Sequence, residues 1–186
     1  MITLSQQRFI LKPNLCIGCR ACEMACRNEF AAHKGERWRW VKTVEDEDEK
    51  FIYYLSLSCN HCENPECFRV CTERTYRKRR DGIVVHCPER CSGCGDCVNA
   101  CPFQAPRYSK ISGKVDKCNM CVHRIDKGLP PACIEVCPTG ALTLYHDGYD
   151  APRDSVRSLT GFNRIVLTKP STRFIFKVGS DDNGSA

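Results

Sequence analysis

Apolar runs of strand length recur along the chain, and each of the early ones leads into a cysteine-rich loop. Arg8-Phe9-Ile10-Leu11 precedes the first such loop and Phe51-Ile52-Tyr53-Tyr54-Leu55-Ser56-Leu57 the second, the latter rich in the aromatic and β-branched residues that favour strands. Gly82-Ile83-Val84-Val85-His86 leads to the third, and Ala141-Leu142-Thr143-Leu144-Tyr145 follows the fourth. Two hairpins are predicted: residues 76–86, turned at Asp81-Gly82, and residues 107–116, turned at Ser112-Gly113. Helical spacing is confined to residues 22–32, a short helix expected to end near Gly35. Two charged stretches read as insertions. Residues 45–49 are all acidic and suit a solvated loop, and the basic stretch 73–80 suits a solvated hairpin arm. Beyond residue 150 the apolar groups Ile165-Val166-Leu167 and Phe174-Ile175-Phe176-Lys177-Val178 predict a strand-forming arm. It would pack across the preceding domains or onto a partner, with residues 180–186 frayed.

Cysteine spacing turns this pattern into chemistry. Sixteen of the 17 cysteines form four groups: Cys16, Cys19, Cys22 and Cys26; Cys59, Cys62, Cys67 and Cys71; Cys91, Cys94, Cys97 and Cys101; and Cys118, Cys121, Cys133 and Cys137. The first and third have the x2-x2-x3 spacing of bacterial ferredoxins, in which the fourth cysteine ligates the other 4Fe–4S cluster of a pair. The second and fourth are expanded copies. Pairing group two with group three, and group one with group four, predicts four ligand sets: Cys59, Cys62, Cys67 and Cys101; Cys91, Cys94, Cys97 and Cys71; Cys16, Cys19, Cys22 and Cys137; and Cys118, Cys121, Cys133 and Cys26. The expected fold class is therefore α+β: two nested ferredoxin-like modules, loop-rich, with short hairpins and a C-terminal extension. The outer module takes residues 1–50 with 110–150, the inserted one residues 51–109, and the arm residues 151–186. Proline follows the fourth cysteine in two groups (Pro102, Pro138), where it ends the preceding turn.

Composition excludes several classes. An odd cysteine count, closely spaced cysteines, and the lack of a basic-then-apolar leader at residues 1–10 argue against a secreted disulfide scaffold. Tetrathiolate zinc sites explain isolated Cys-x2-Cys pairs but not two full ferredoxin runs with two expanded copies. The formal charge of +6 suggests nucleic acid only until the clusters are counted. Four centres at about −2 each, thiolates included, bring the total to about −2, so much of the Lys and Arg reads as counter-charge. No run reaches membrane-span length. With cysteine forming much of the apolar content, the fold depends on its metal, and the metal-free chain is expected to be largely unfolded. Cys87, outside the four groups, reads as a buried free thiol. His61 suits either potential tuning or an exposed loop; Trp38 and Trp40 suit either packing or an interface.

The second group with its flank, Cys59-Asn60-His61-Cys62-Glu63-Asn64-Pro65, resembles the iron–sulfur subunits of the dimethyl sulfoxide reductase family of molybdenum or tungsten enzymes. So do Asp81-Gly82-Ile83-Val84-Val85, Cys91-Ser92-Gly93-Cys94-Gly95-Asp96-Cys97, Cys101-Pro102-Phe103-Gln104-Ala105-Pro106 and Lys117-Cys118-Asn119-Met120-Cys121. The likeness spans about residues 8–145; Thr72 departs from the usual Cys-Pro, and Cys87 and the arm are additional. It implies four 4Fe–4S clusters linking a catalytic subunit with a bis-pterin molybdenum or tungsten cofactor to a quinone-reactive membrane subunit or a soluble donor. It also implies a membrane-associated complex, on the outer face if co-exported with its catalytic partner and cytoplasmic otherwise.

No Ser/His/Asp set, phosphate-binding glycine loop or paired catalytic carboxylates stands out. The expected role is electron transfer, with substrate chemistry left to a partner. Rival readings are the iron–sulfur subunit of a hydrogenase, formate hydrogenlyase or carbon monoxide dehydrogenase assembly, and a non-redox zinc-binding interaction module.

Overall fold

The computed structural model describes residues 6–30, 36–46, 51–145, 151–162 and 165–176. In chain order the elements are β1 (Arg8–Leu11), α1 (Ala21–Glu29), β2 (Trp40–Asp46), β3 (Phe51–Leu57), α2 (Glu66–Arg69), β4 (Tyr76–Lys78), β5 (Val84–His86), α3 (Asp96–Ala100), β6 (Arg107–Ser109), β7 (Lys114–Asp116), α4 (Val122–Ile125), α5 (Ala132–Glu135), β8 (Leu142–Tyr145) and β9 (Arg173–Phe174). Every residue of β1 is buried, which requires cover on all sides. β8 pairs with β1 antiparallel, Leu11 opposite Leu142, and β9 pairs parallel on the other edge. The strand before the first cysteine group is thus joined to the strand after the fourth.

Three two-stranded ribbons complete the sheets. β2 and β3 pair antiparallel along their full length, from Trp40 opposite Leu57 to Asp46 opposite Phe51. The hairpins β4–β5 and β6–β7 turn where Asp81-Gly82 and Ser112-Gly113 predict. One apolar cluster connects β1, β3, the loops of the second and fourth cysteine groups, and the arm, through Phe9, Leu11, Leu55, Ile83, Met120, Phe162 and Phe174.

Several expectations need correction. α1 ends at Glu29, short of Gly35, with the Phe30 ring packed at a tilt against Trp38, centroids 4.7 Å apart. The acidic stretch is not all loop: Glu45 and Asp46 belong to β2, while 47–50 lie outside the described residues. The basic stretch is anchored as well as solvated. Lys78 Nζ donates to the carbonyls of Cys62 and Glu63 at 3.1 and 2.7 Å, and Arg79 bridges Asp81 and Asp126. Trp38 is core and Trp40 lies under the Arg107 guanidinium, so both pack within the chain. In the arm only residues 173–174 form a strand, 165–167 do not, and 177–186 lie outside the described residues. The arm nevertheless packs across the cysteine loops: Ser171 N–H donates to Asn60 O, its hydroxyl to His61 O, and Asn64 N–H to Thr168 O. No helix among the described residues is long and apolar enough to cross a membrane.

Candidate iron–sulfur centres

An interval of three residues between cysteines is one helical turn, so two such sulfurs share a helix face about 6 Å apart along the axis. All four groups end this way. Cys22 and Cys26 lie on α1, while Cys67, Cys97 and Cys133 lie on α2, α3 and α5, with Cys71, Cys101 and Cys137 one turn further on. Because each helix is short, its last cysteine reaches past its own loop to the neighbouring one. α2 packs on α3, and α1 on α5.

The sulfurs gather accordingly. Cys59, Cys62, Cys67 and Cys101 line one cavity; Cys16, Cys19, Cys22 and Cys137 line a second; Cys71, Cys91, Cys94 and Cys97 line a third. The three cavities are alike in size. Cys26, Cys118, Cys121 and Cys133 are all buried and within electrostatic reach of one another. A wider hollow beside Glu63, Arg157 and Lys169 contains no cysteine, so chemistry and not size selects the sites. Cys87 joins none of the four sets. It is half-buried, and its thiol donates to Glu89 Oε2 at 3.1 Å.

Amides and hydroxyls point at these sulfurs. N–H groups of Thr75, Gly93, Ala105 and Met120 donate to Cys71, Cys91, Cys101 and Cys118, each at 3.4 Å. Arg39, buried, donates to Ser56 Oγ at 3.0 Å, which frees the Ser56 hydroxyl proton for Cys22 Sγ at 3.2 Å. Burial pushes the free thiols of Cys62 and Cys121 up to about 12 and that of Cys118 to about 11. At Cys137 burial is outweighed by hydrogen bonds from Leu142 and Thr139, and its pKa falls.

His61 sits between two sets. It is fully buried, and desolvation, followed by the charge on Lys117, holds it well below the usual histidine range and therefore neutral. Val84 N–H donates to Nδ1 at 3.1 Å, so the proton is on Nε2, which faces Cys118 Sγ at 4.0 Å. The exposed-loop reading of His61 is wrong. Lys117 and Arg39 also belong to the site. Lys117 opens the Lys117-Cys118-Asn119-Met120-Cys121 stretch that carries the resemblance, but that stretch by itself assigns it no role, and Arg39 lies in no motif.

The residues fit 4Fe–4S clusters on one observation. Buried donors that line two of the cavities have no oxygen or nitrogen acceptor: Asn60 Nδ2 beside Cys59, and the Tyr76 hydroxyl beside Cys97. Sulfur-rich occupants supply acceptors for them.

This combination of ferredoxin-like folding units, small helices and strands, and fourfold thiolate cavities defines an iron–sulfur protein. The 4Fe–4S dicluster domain model matches residues 50–147 and a 4Fe–4S binding domain model matches residues 13–29. The chain is 35% identical to a chain of the anaerobic dimethyl sulfoxide reductase of Escherichia coli (strain K12), over 91% of this chain and 85% of that one. It is 36% identical to a tetrathionate reductase subunit of Salmonella typhimurium (90% and 70% covered) and 37% identical to a polysulfide reductase chain of Wolinella succinogenes (86% and 82% covered). The chain belongs to the four-cluster iron–sulfur subunits of the dimethyl sulfoxide reductase family of molybdopterin oxidoreductases. It is an electron-transfer subunit, and its cofactors are 4Fe–4S clusters.

Proposed function

We propose that the sixteen grouped cysteines are the iron ligands in the four crossed sets described above, within two nested modules: residues 1–50 with 110–150 outside, 51–109 inside, and 151–186 as an arm. The observation that supports this most directly is the exchange of fourth cysteines, Cys101 lining the cavity of Cys59 and Cys71 that of Cys91. Bound there, each cluster accepts and releases single electrons. The chain's own contribution is to hold the four sets in series. The Cys71/91/94/97 set adjoins the Cys59/62/67/101 set through α2 and α3; His61 and Lys117 join the latter to the Cys26/118/121/133 set; α1 and α5 join that to the Cys16/19/22/137 set. The two terminal sets each include an exposed cysteine, Cys94 and Cys19, whereas the Cys26/118/121/133 set is wholly buried. A series with exposed ends and a buried middle suits relay between two partners.

Those partners are a molybdenum or tungsten bis-pterin catalytic subunit at one end, and a quinone-reactive membrane subunit or a soluble donor at the other. The complex is membrane-associated, on the outer face. The test is anaerobic purification of the chain with whatever copurifies, followed by metal analysis and redox titration. About sixteen irons per chain, four one-electron centres and molybdenum or tungsten in the copurifying subunit are expected. Far fewer irons, iron that cannot be cycled, or nickel in place of molybdenum or tungsten would overturn the reading.

A further inference from the structure

Lys117 is 1% exposed, yet among the described residues it has no carboxylate partner. Its ammonium is fixed by main-chain carbonyls, those of Val84 and Cys118, the second at 3.1 Å. Val84 belongs to the inner hairpin and Cys118 to the last cysteine loop, so the charge is pinned where the inner and outer cysteine sets meet. Lys117 lines the cavity of Cys59, Cys62, Cys67 and Cys101, with Cys59 and Cys67 within electrostatic reach of its ammonium. On its other side the next residue in sequence is Cys118, of the wholly buried set.

A buried ammonium without an anion is costly even after relaxation. Carbonyl oxygens satisfy its hydrogen bonds but not its charge. The adjacent Asp116 carboxylate is taken up by the Lys117 backbone N–H at 2.7 Å, and among the described residues the negative charge that acts on the ammonium is that of the thiolates of Cys59, Cys67 and Cys118, on both sides. A cation at fixed distance from two redox centres stabilises each one's more negative, reduced form relative to its oxidised form. The Cys71/91/94/97 and Cys16/19/22/137 sets have no such contact with Lys117, so the effect should be confined to two of the four centres.

We propose that Lys117 is a counter-charge shared by the Cys59/62/67/101 and Cys26/118/121/133 centres, raising the reduction potential of both and so setting the electron step between the modules. This rests on the ligand sets proposed above. The test is a redox titration, followed by electron paramagnetic resonance, of the complete complex carrying Lys117→Gln, which keeps a donor for the carbonyls while removing the charge. Two of the four midpoint potentials should fall, each by at least about 59 mV, the shift that a tenfold change in a one-electron equilibrium represents, while the other two stay in place. Four unmoved potentials at full iron content, or four that move equally, would overturn the proposal. If Lys117→Gln loses iron, Lys117→Arg decides: full iron and unchanged potentials uphold a role for the charge, and equal iron loss assigns Lys117 to packing alone. Titrating the unsubstituted complex alongside keeps the two readings apart. A wrong ligand assignment alters the number of wild-type centres, whereas a wrong role for Lys117 leaves four centres that ignore the substitution.

Discussion

The third position of every Cys-x2-Cys pair that opens a group is left-handed: Gly18, His61, Gly93 and Met120 have φ of 69°, 43°, 78° and 61°. The turn lets the following cysteine face the same cavity as the one before it. Glycine adopts this conformation freely, while a residue with a Cβ loses about 1–2 kcal/mol. The two glycines belong to the sets with an exposed cysteine, and the two costlier residues to the inner sets, where His61 and Met120 are 0% and 1% exposed. Their burial offsets the backbone cost and fills the space between modules. The crossing of fourth cysteines is testable at the same scale. Cys101→Ser and Cys67→Ser should perturb the same resonance signal and leave three centres intact, whereas Cys97→Ser should perturb a different one. If Cys101→Ser instead altered the signal lost with Cys97→Ser, the crossed assignment would fail.

Each α-helix that holds ligands does so over a turn or two, so its position depends on what packs against its loop. Gly93 shows how tightly this is set, since a Cβ there would overlap the carbonyl oxygen of Gly113 at the tip of the β6–β7 hairpin. Gly93→Ala combines that overlap with left-handed strain, a cost of about 2 kcal/mol or more. Iron should be lost from the Cys71/91/94/97 centre while the other three centres keep their signals; full occupancy would show that the hairpin does not brace the loop. At this scale the sequence is informative where local chemistry decides. Asp81-Gly82 and Ser112-Gly113 locate both hairpins, and cysteine spacing groups the cysteines that line the three cavities. It is uninformative where tertiary contact decides. β2 is not legible because Glu45 and Asp46 look like a loop until β3 lies beside them, and the end of α1 is overrun because Phe30 turns away to pack against Trp38. Lys117 and Arg39 cannot be distinguished from surface cations by sequence, since only the folded chain removes them from water.

For the molecule as a whole, metal and fold are coupled through charge as well as through ligation. Arg39 is 2% exposed; its guanidinium is held by the Ser56 carbonyl and the hydroxyls of Ser56 and Ser58, lies 4.5 Å over the Phe9 ring, and has no carboxylate partner among the described residues. Around it stand Cys22, Cys26, Cys118 and Cys133. In the ligand sets proposed above these are thiolates when iron is bound. Without it, burial raises the thiol pKa values of Cys22, Cys26 and Cys118, so they stay protonated at neutral pH and Arg39 loses its counter-charge along with Lys117. Chelation therefore removes the staples and also strands two buried cations, at several kcal/mol each. The metal-free chain should lose most of its circular dichroism and become protease-sensitive at pH 7. The charge argument makes a sharper claim than staple loss alone. Arg39→Met and Lys117→Met should retain more structure than the unsubstituted chain after identical chelation, even though both are less stable when iron-loaded. Equal collapse of all three metal-free chains would mean that ligation alone holds the fold, and that the buried cations owe nothing to the iron.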